Sequence, residues 1–95
     1  PKQAKDLEAF LSSYKTASPD FQTEHGYPKD QPNSANLGMC TNYTAHKYKC
    51  LSVTLEMPFK DNANFPNLDT GWNGDRSADL GASAIDAIFG IIDFI

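Results

Sequence analysis

The sequence has few of the residues from which metal centres and disulfide frameworks are built. It contains two cysteines and two histidines, and neither Cys40 nor Cys50 belongs to a C-x-x-C pair. Two thiols are too few for a disulfide framework or a four-thiolate zinc site. We therefore interpret both cysteines as free, buried thiols of a reducing compartment, which predicts a cytoplasmic protein. His25 and His46 lack a helical ligand spacing such as H-E-x-x-H, so we interpret them as surface or packing residues.

Basic residues and long apolar runs are also scarce. The chain contains eight Lys and Arg residues and twelve Asp and Glu residues, which gives a net charge of −4 and a pI of about 4.8. The basic residues are scattered, so the sequence offers no electrostatic footprint for nucleic acid or for an anionic membrane. The apolar carboxyl-terminal stretch is interrupted by Asp86, Gly90 and Asp93, and no run reaches the roughly 18 residues of a membrane span. We predict neither a nucleic-acid partner nor a membrane partner.

The length of the chain suits one domain and no more. The sequence begins at Pro1, with neither an initiator methionine nor a cationic and then apolar leader. We expect it to be a piece of a longer protein.

The strongest secondary-structure signal is a strand from Cys50 to Met57. Apolar residues occupy every second position and small or polar residues the positions between, as in a strand with one buried face. Pro58 cannot donate to a ladder hydrogen bond, so the strand should end with Glu56 near its carboxyl end. Open α/β sheets bind ligands at that end, and Glu is depleted in strands. From the residues alone, Glu56 is equally well read as a site residue or as a solvated carboxylate.

The other elements complete an α/β pattern in the order helix, strand, helix, strand, helix. We predict a helix from Lys5 to Lys15, a strand from Phe21 to Tyr27, a helix from Ala35 to Lys49, a loop from Asn62 to Asp75, and a final helix that Ser77 caps. The final helix carries an apolar stripe at Leu80, Ala84, Ile88, Ile91 and Ile95. A strand, a helix and a second strand should form a right-handed unit with parallel strands.

Few other residues qualify as site candidates. The sequence has no G-x-S-x-G elbow and no phosphate-binding glycine-rich loop. Tyr27 ends the first predicted strand, where it would either reach the same crevice as Glu56 or pack inside. The predicted loops also contain four aspartates, which are common in turns without any function: Asp20, Asp30, Asp61 and Asp69.

A resemblance to a known family rests on several short runs. Leu55-Glu56-Met57-Pro58-Phe59-Lys60-Asp61-Asn62 is followed by Gly71-Trp72, Arg76-Ser77 and Leu80-Gly81. These runs resemble the carboxyl-terminal part of the M14 zinc metallocarboxypeptidases, in particular the bacterial members similar to cytosolic carboxypeptidases. The resemblance implies that residues 1–95 are the carboxyl-terminal part of the catalytic domain, within a three-layer α/β/α fold.

The resemblance also implies a reaction and a role for Glu56. As general base, Glu56 would take a proton from a zinc-bound water that attacks a peptide carbonyl, then pass it to the leaving amine. Tyr27 would contact the substrate, which is the carboxyl terminus of a peptide or protein. The zinc ligands and the arginines that bind the substrate carboxylate would lie upstream, so we predict no metal ligand within this chain.

Two further expectations complete the sequence-based hypothesis. The alternative to an enzyme is a non-catalytic α/β interaction domain, in which Glu56 and Tyr27 are structural or bind a partner. Two parallel strands would leave unpaired edges, so we expect the chain by itself to be inactive and to self-associate through strand edges.

Overall fold

Three helices form the regular secondary structure of this computed structural model, which describes residues 2–26 and 34–95. Helix α1 spans Lys2–Ala17, α2 spans Cys40–Tyr48 and α3 spans Gly74–Phe89. All three helices were predicted, but their bounds differ from the predicted ones. Helix α2 begins five residues later than expected, and α3 begins before Ser77 because Asn73 caps it. The Asn73 side-chain oxygen accepts a hydrogen bond from the Arg76 N–H at 2.9 Å, as N-cap residues do.

The predicted α/β fold is wrong for the described part of the chain, which contains no β-strand. Within that part, no backbone group of residues 51–59 pairs with another backbone group. An alternating sequence defines two faces, but a strand forms only where a neighbouring strand accepts and donates its backbone hydrogen bonds. The predicted strand from Cys50 to Met57 has a helix as its neighbour instead, since the Thr54 hydroxyl lies 2.5 Å from that of Thr41 in α2. Residues 21–26 are irregular, and Tyr27 lies outside the described residues.

The core lies between α1 and α3. Its buried apolar residues are Phe10, Tyr14, Leu80, Ala87 and Ile91. Tyr14 is 1% exposed, its ring stacks on Phe21 at 4.2 Å, and its hydroxyl donates to the carbonyl of Leu80. Because the phenol is buried, the pKa of Tyr14 is raised above its ordinary value. This one side chain therefore joins both long helices and the segment after α1.

The carboxyl-terminal part of the chain leaves apolar side chains uncovered. Two members of the predicted stripe, Ile88 and Ile95, are exposed, and so are Ile85, Phe89, Ile92 and Phe94. The stripe prediction is therefore confirmed at Leu80 and Ala84, whereas Ile91, although buried, and Ile95 come after the end of α3 at Phe89. No helix of the described residues is long and apolar enough to cross a bilayer.

Candidate functional site

Glu56 lies in the irregular segment of residues 51–59, which connects α2 to the loop before α3. Its side chain is exposed, and it has no hydrogen-bond or ion-pair partner among the described residues. Within residues 2–26 and 34–95, nothing described therefore blocks a ligand from the carboxylate.

The segment that carries Glu56 is anchored on both sides. On the amino-terminal side, Thr54 contacts α2 through Thr41, and the Cys50 thiol lies 3.9 Å from the carbonyl of Thr44. On the carboxyl-terminal side, the carbonyl of Lys60 accepts a hydrogen bond from the N–H of Trp72 at 2.6 Å. Glu56 thus lies on a short span between helix α2 and the loop of residues 60–73.

A charged cluster that the sequence patterns did not predict organises this loop. The Arg76 guanidinium, at the start of α3, forms ion pairs with Asp20 at 2.5 Å and with Asp61 at 2.8 Å. It also donates to the carbonyls of Phe65 at 2.8 Å and Gly71 at 3.1 Å. Turn propensity predicts ordinary turns at both aspartates. One signal could have found the cluster, because Arg76 is the only arginine of the chain and comes directly after its segment richest in Asn and Asp.

The aspartates of this cluster bind backbone and side-chain groups of the loop as well. Asp61 accepts hydrogen bonds from the N–H groups of Asn62 at 2.8 Å and Asn67 at 2.9 Å. The buried side chain of Asn62 donates to the carbonyl of Asp20 at 2.9 Å. Since buried polar groups are stable only when they are hydrogen-bonded, these contacts define one conformation of the loop and attach it to the end of α1.

The electrostatics of the cluster favour its charged form. Burial by itself raises the pKa of Asp61, but hydrogen bonds from Arg76 and from two backbone N–H groups outweigh burial and lower that pKa below its usual value. The hydrogen bond to Asp20 is the main cause that raises the pKa of Arg76. The guanidinium carbon lies 4.7 Å from the ring centroid of Trp72, a cation–π contact.

Glu56 lines neither of two open depressions on the described surface. One, of about 520 Å³, borders the charged cluster at Asp20 and Arg76 and has Phe65 and Leu68 on its wall. The other, of about 340 Å³, lies between α1 and α2 and includes His46. The structure therefore does not bring Glu56 together with either cavity.

The remaining candidates are dispersed. Tyr27 lies outside the described residues, and His25 and His46 are both exposed. Both cysteines are free, but Cys40 is exposed and Cys50 only half-buried, so the predicted burial of these thiols is wrong. No group of three His, Cys, Asp or Glu side chains within residues 2–26 and 34–95 is arranged to hold a metal ion. The described residues therefore do not fit a catalytic zinc, which needs three protein ligands.

Comparisons with known proteins identify what the chain is similar to. No protein-family model matches it. An uncharacterized protein of Zymomonas mobilis subsp. mobilis is 46% identical over 91 residues, which are 96% of this chain and 24% of that protein. The crystal structure of a metallo-carboxypeptidase from Burkholderia cenocepacia matches 100% of this chain and 25% of its own, with 49% identity and a TM-score of 0.89.

A second solved structure is similar to the chain over nearly its whole length. It is a metallo-carboxypeptidase from Pseudomonas aeruginosa in complex with (2-guanidinoethylmercapto)succinic acid, matched over 98% of this chain and 24% of its own, with 35% identity and a TM-score of 0.91. The chain spans about a quarter of the length of the relatives that it matches. Over nearly all of its length, this chain is therefore similar in sequence and structure to a quarter of a metallo-carboxypeptidase, a carboxypeptidase-type hydrolase.

Proposed function

We propose that this chain is part of a zinc metallocarboxypeptidase, which removes carboxyl-terminal residues from peptides or proteins. The observation that carries the proposal is the match to metallo-carboxypeptidase structures over 98–100% of the chain at 35–49% identity. Residues 1–95 are the carboxyl-terminal part of the catalytic domain in this proposal, the subgroup is the bacterial one similar to cytosolic carboxypeptidases, and the enzyme is cytoplasmic.

Glu56 is the general base of the proposed reaction. Its exposed carboxylate takes a proton from the attacking water and returns it to the nitrogen of the leaving residue. Two features support this role: the carboxylate has no partner among the described residues, and its segment is anchored on both sides. Because the described residues contain no metal-ligand set, we propose that residues outside these 95 hold the zinc. Tyr27 contacts the substrate in this proposal, and its hydroxyl contributes less than the base.

The test is Glu56→Gln in the complete protein that carries this sequence. The amide has nearly the shape of the carboxylate but cannot accept the proton, so kcat should fall by about 10²–10⁴-fold on peptides with free carboxyl termini. Bound metal and the melting temperature should not change, because Glu56 binds no described residue. Tyr27→Phe should reduce activity less.

Glu8→Gln is the matched control, since Glu8 is an exposed carboxylate of α1. It should leave kcat unchanged. If Glu56→Gln retains wild-type turnover, Glu56 is not the base. If the wild-type protein hydrolyses no peptide in the presence of zinc, the enzymatic proposal is wrong and a non-catalytic interaction role takes its place.

A further inference from the structure

We propose that Arg76 is a positioning residue for Glu56, because it fixes the geometry of the segment directly after the proposed base. This inference rests on the proposed function, since Glu56 needs positioning only if it is catalytic. The sequence suggested no role for Arg76 beyond its place in the resemblance.

Arg76 uses its whole hydrogen-bonding capacity within the chain. A guanidinium has five N–H donors in a rigid planar fork. The structure contains five acceptor contacts, three from carboxylate oxygens and two from backbone carbonyls: to Asp20 at 2.5 and 3.4 Å, Asp61 at 2.8 Å, Phe65 at 2.8 Å and Gly71 at 3.1 Å. The side chain is 14% exposed. No donor is left for a substrate carboxylate, so Arg76 acts through the residues that it holds.

The residues that Arg76 holds lie close to Glu56 along the chain. Asp61 comes five residues after Glu56, and Pro58 restricts the backbone between them. At the far end of the loop, Gly71 precedes Trp72, whose N–H binds the carbonyl of Lys60 at 2.6 Å. Arg76 therefore binds the loop next to both of its ends, and it attaches the end nearer to Glu56 to α3.

An ordinary ion pair joins two side chains, whereas Arg76 also joins the loop to the segment after α1. The opposite side of the guanidinium binds Asp20, which lies beyond the end of α1, and Asn62 also binds Asp20. The segment after Glu56 is thus attached to α3 and to the turn that follows α1. A displacement of about 1 Å at a catalytic group reduces the rate by up to about 10²-fold even when the protein stays folded.

The experiment compares Arg76→Lys with Tyr14→Phe in the complete, metal-loaded protein. Lysine keeps the positive charge, but it has three donors on one nitrogen and cannot bridge the two carboxylates and two carbonyls. Tyr14→Phe removes the hydroxyl that binds the Leu80 carbonyl, a different link between α1 and α3 that does not touch the loop. Both variants should have a lower melting temperature. Measurements of kcat, KM and metal content are made well below the lower of the two melting temperatures.

For Arg76→Lys, kcat should fall by about 10–100-fold, with KM and metal content within about twofold of wild type. Tyr14→Phe should keep wild-type kcat. Arg76→Ala provides the second readout: millimolar guanidinium should restore part of its kcat, whereas sodium chloride of equal ionic strength should not.

The other outcomes of these measurements would contradict the inference. A wild-type kcat in Arg76→Lys, or an equal loss of kcat in Tyr14→Phe, would show that Arg76 only stabilises the fold, and the inference would be wrong. A raised KM at unchanged kcat would instead assign Arg76 to substrate binding and also overturn it. If Glu56→Gln is fully active or the wild type is inactive, the proposed function fails, and the positioning role fails with it.

Discussion

Gly71→Ala tests two features of the loop of residues 60–73: the left-handed backbone conformation of Gly71 and its close approach to the carbonyl of Lys60. Gly71 has φ of +63°, in the left-handed region where a Cβ atom is unfavourable by about 1–2 kcal/mol. A Cβ built at this position would lie 2.5 Å from the carbonyl oxygen of Lys60, far inside van der Waals contact. That oxygen accepts the hydrogen bond from Trp72, so relief of the clash would weaken a contact worth about 0.5–1.5 kcal/mol. We expect a total loss of about 1.5–3.5 kcal/mol in the free energy of unfolding.

Gly81→Ala is the matched control for the same chemical change. Gly81 lies inside α3, and a Cβ built there meets nothing within 4 Å. Alanine is the better helix former by about 0.5–1 kcal/mol, so this variant should be slightly more stable than wild type. The two substitutions should therefore change stability in opposite directions.

Urea denaturation of the 95-residue chain, at a concentration where sedimentation shows a monomer, followed by tryptophan fluorescence measures both effects. Trp72 is the only tryptophan of the chain, it is next to Gly71, and its indole N–H donates to Ser77 at 2.7 Å. If Gly71→Ala costs less than about 0.5 kcal/mol, or if both variants shift the midpoint in the same direction, the left-handed conformation and the approach to Lys60 are wrong.

Two further predictions concern the core and the uncovered surface. Tyr14→Phe should destabilise the protein by about 1–2 kcal/mol because the Leu80 carbonyl loses its buried donor. Burial raises the pKa of Tyr14 above the value of about 10 that it has in the unfolded chain. The buried phenol therefore contributes to stability at pH values below about 10, and this contribution is lost as the pH rises through the folded pKa. A wild-type free energy of unfolding that depends on pH above about 10 as little as that of Tyr14→Phe would contradict this. Expressed by itself, the chain should self-associate through exposed apolar residues of α3 and of residues 90–95, rather than through the strand edges expected from sequence. Sedimentation should show a lower average mass for Phe89→Glu than for Glu8→Gln, and equal masses would exclude this surface.

The sequence by itself determined the helices and the family resemblance. The apolar stripe predicted for the final helix includes Leu80 and Ile91, which the structure does bury, because helical periodicity is a local property of the chain. The run around Glu56 predicted the similarity to metallocarboxypeptidases, which the solved structures support. The role of Glu56 as the base stays a prediction.

The tertiary structure decided every feature that depends on partners distant in sequence. The alternation in residues 50–57 indicated a strand, but a strand requires a paired neighbour, and the described residues provide α2 instead. Asp20 and Asp61 looked like turn residues because turn propensity is local. Their common contact with Arg76, 56 and 15 residues away, exists only in the folded chain. Turn propensity therefore did not predict the charge cluster that orders the loop after Glu56, and the folded structure established it.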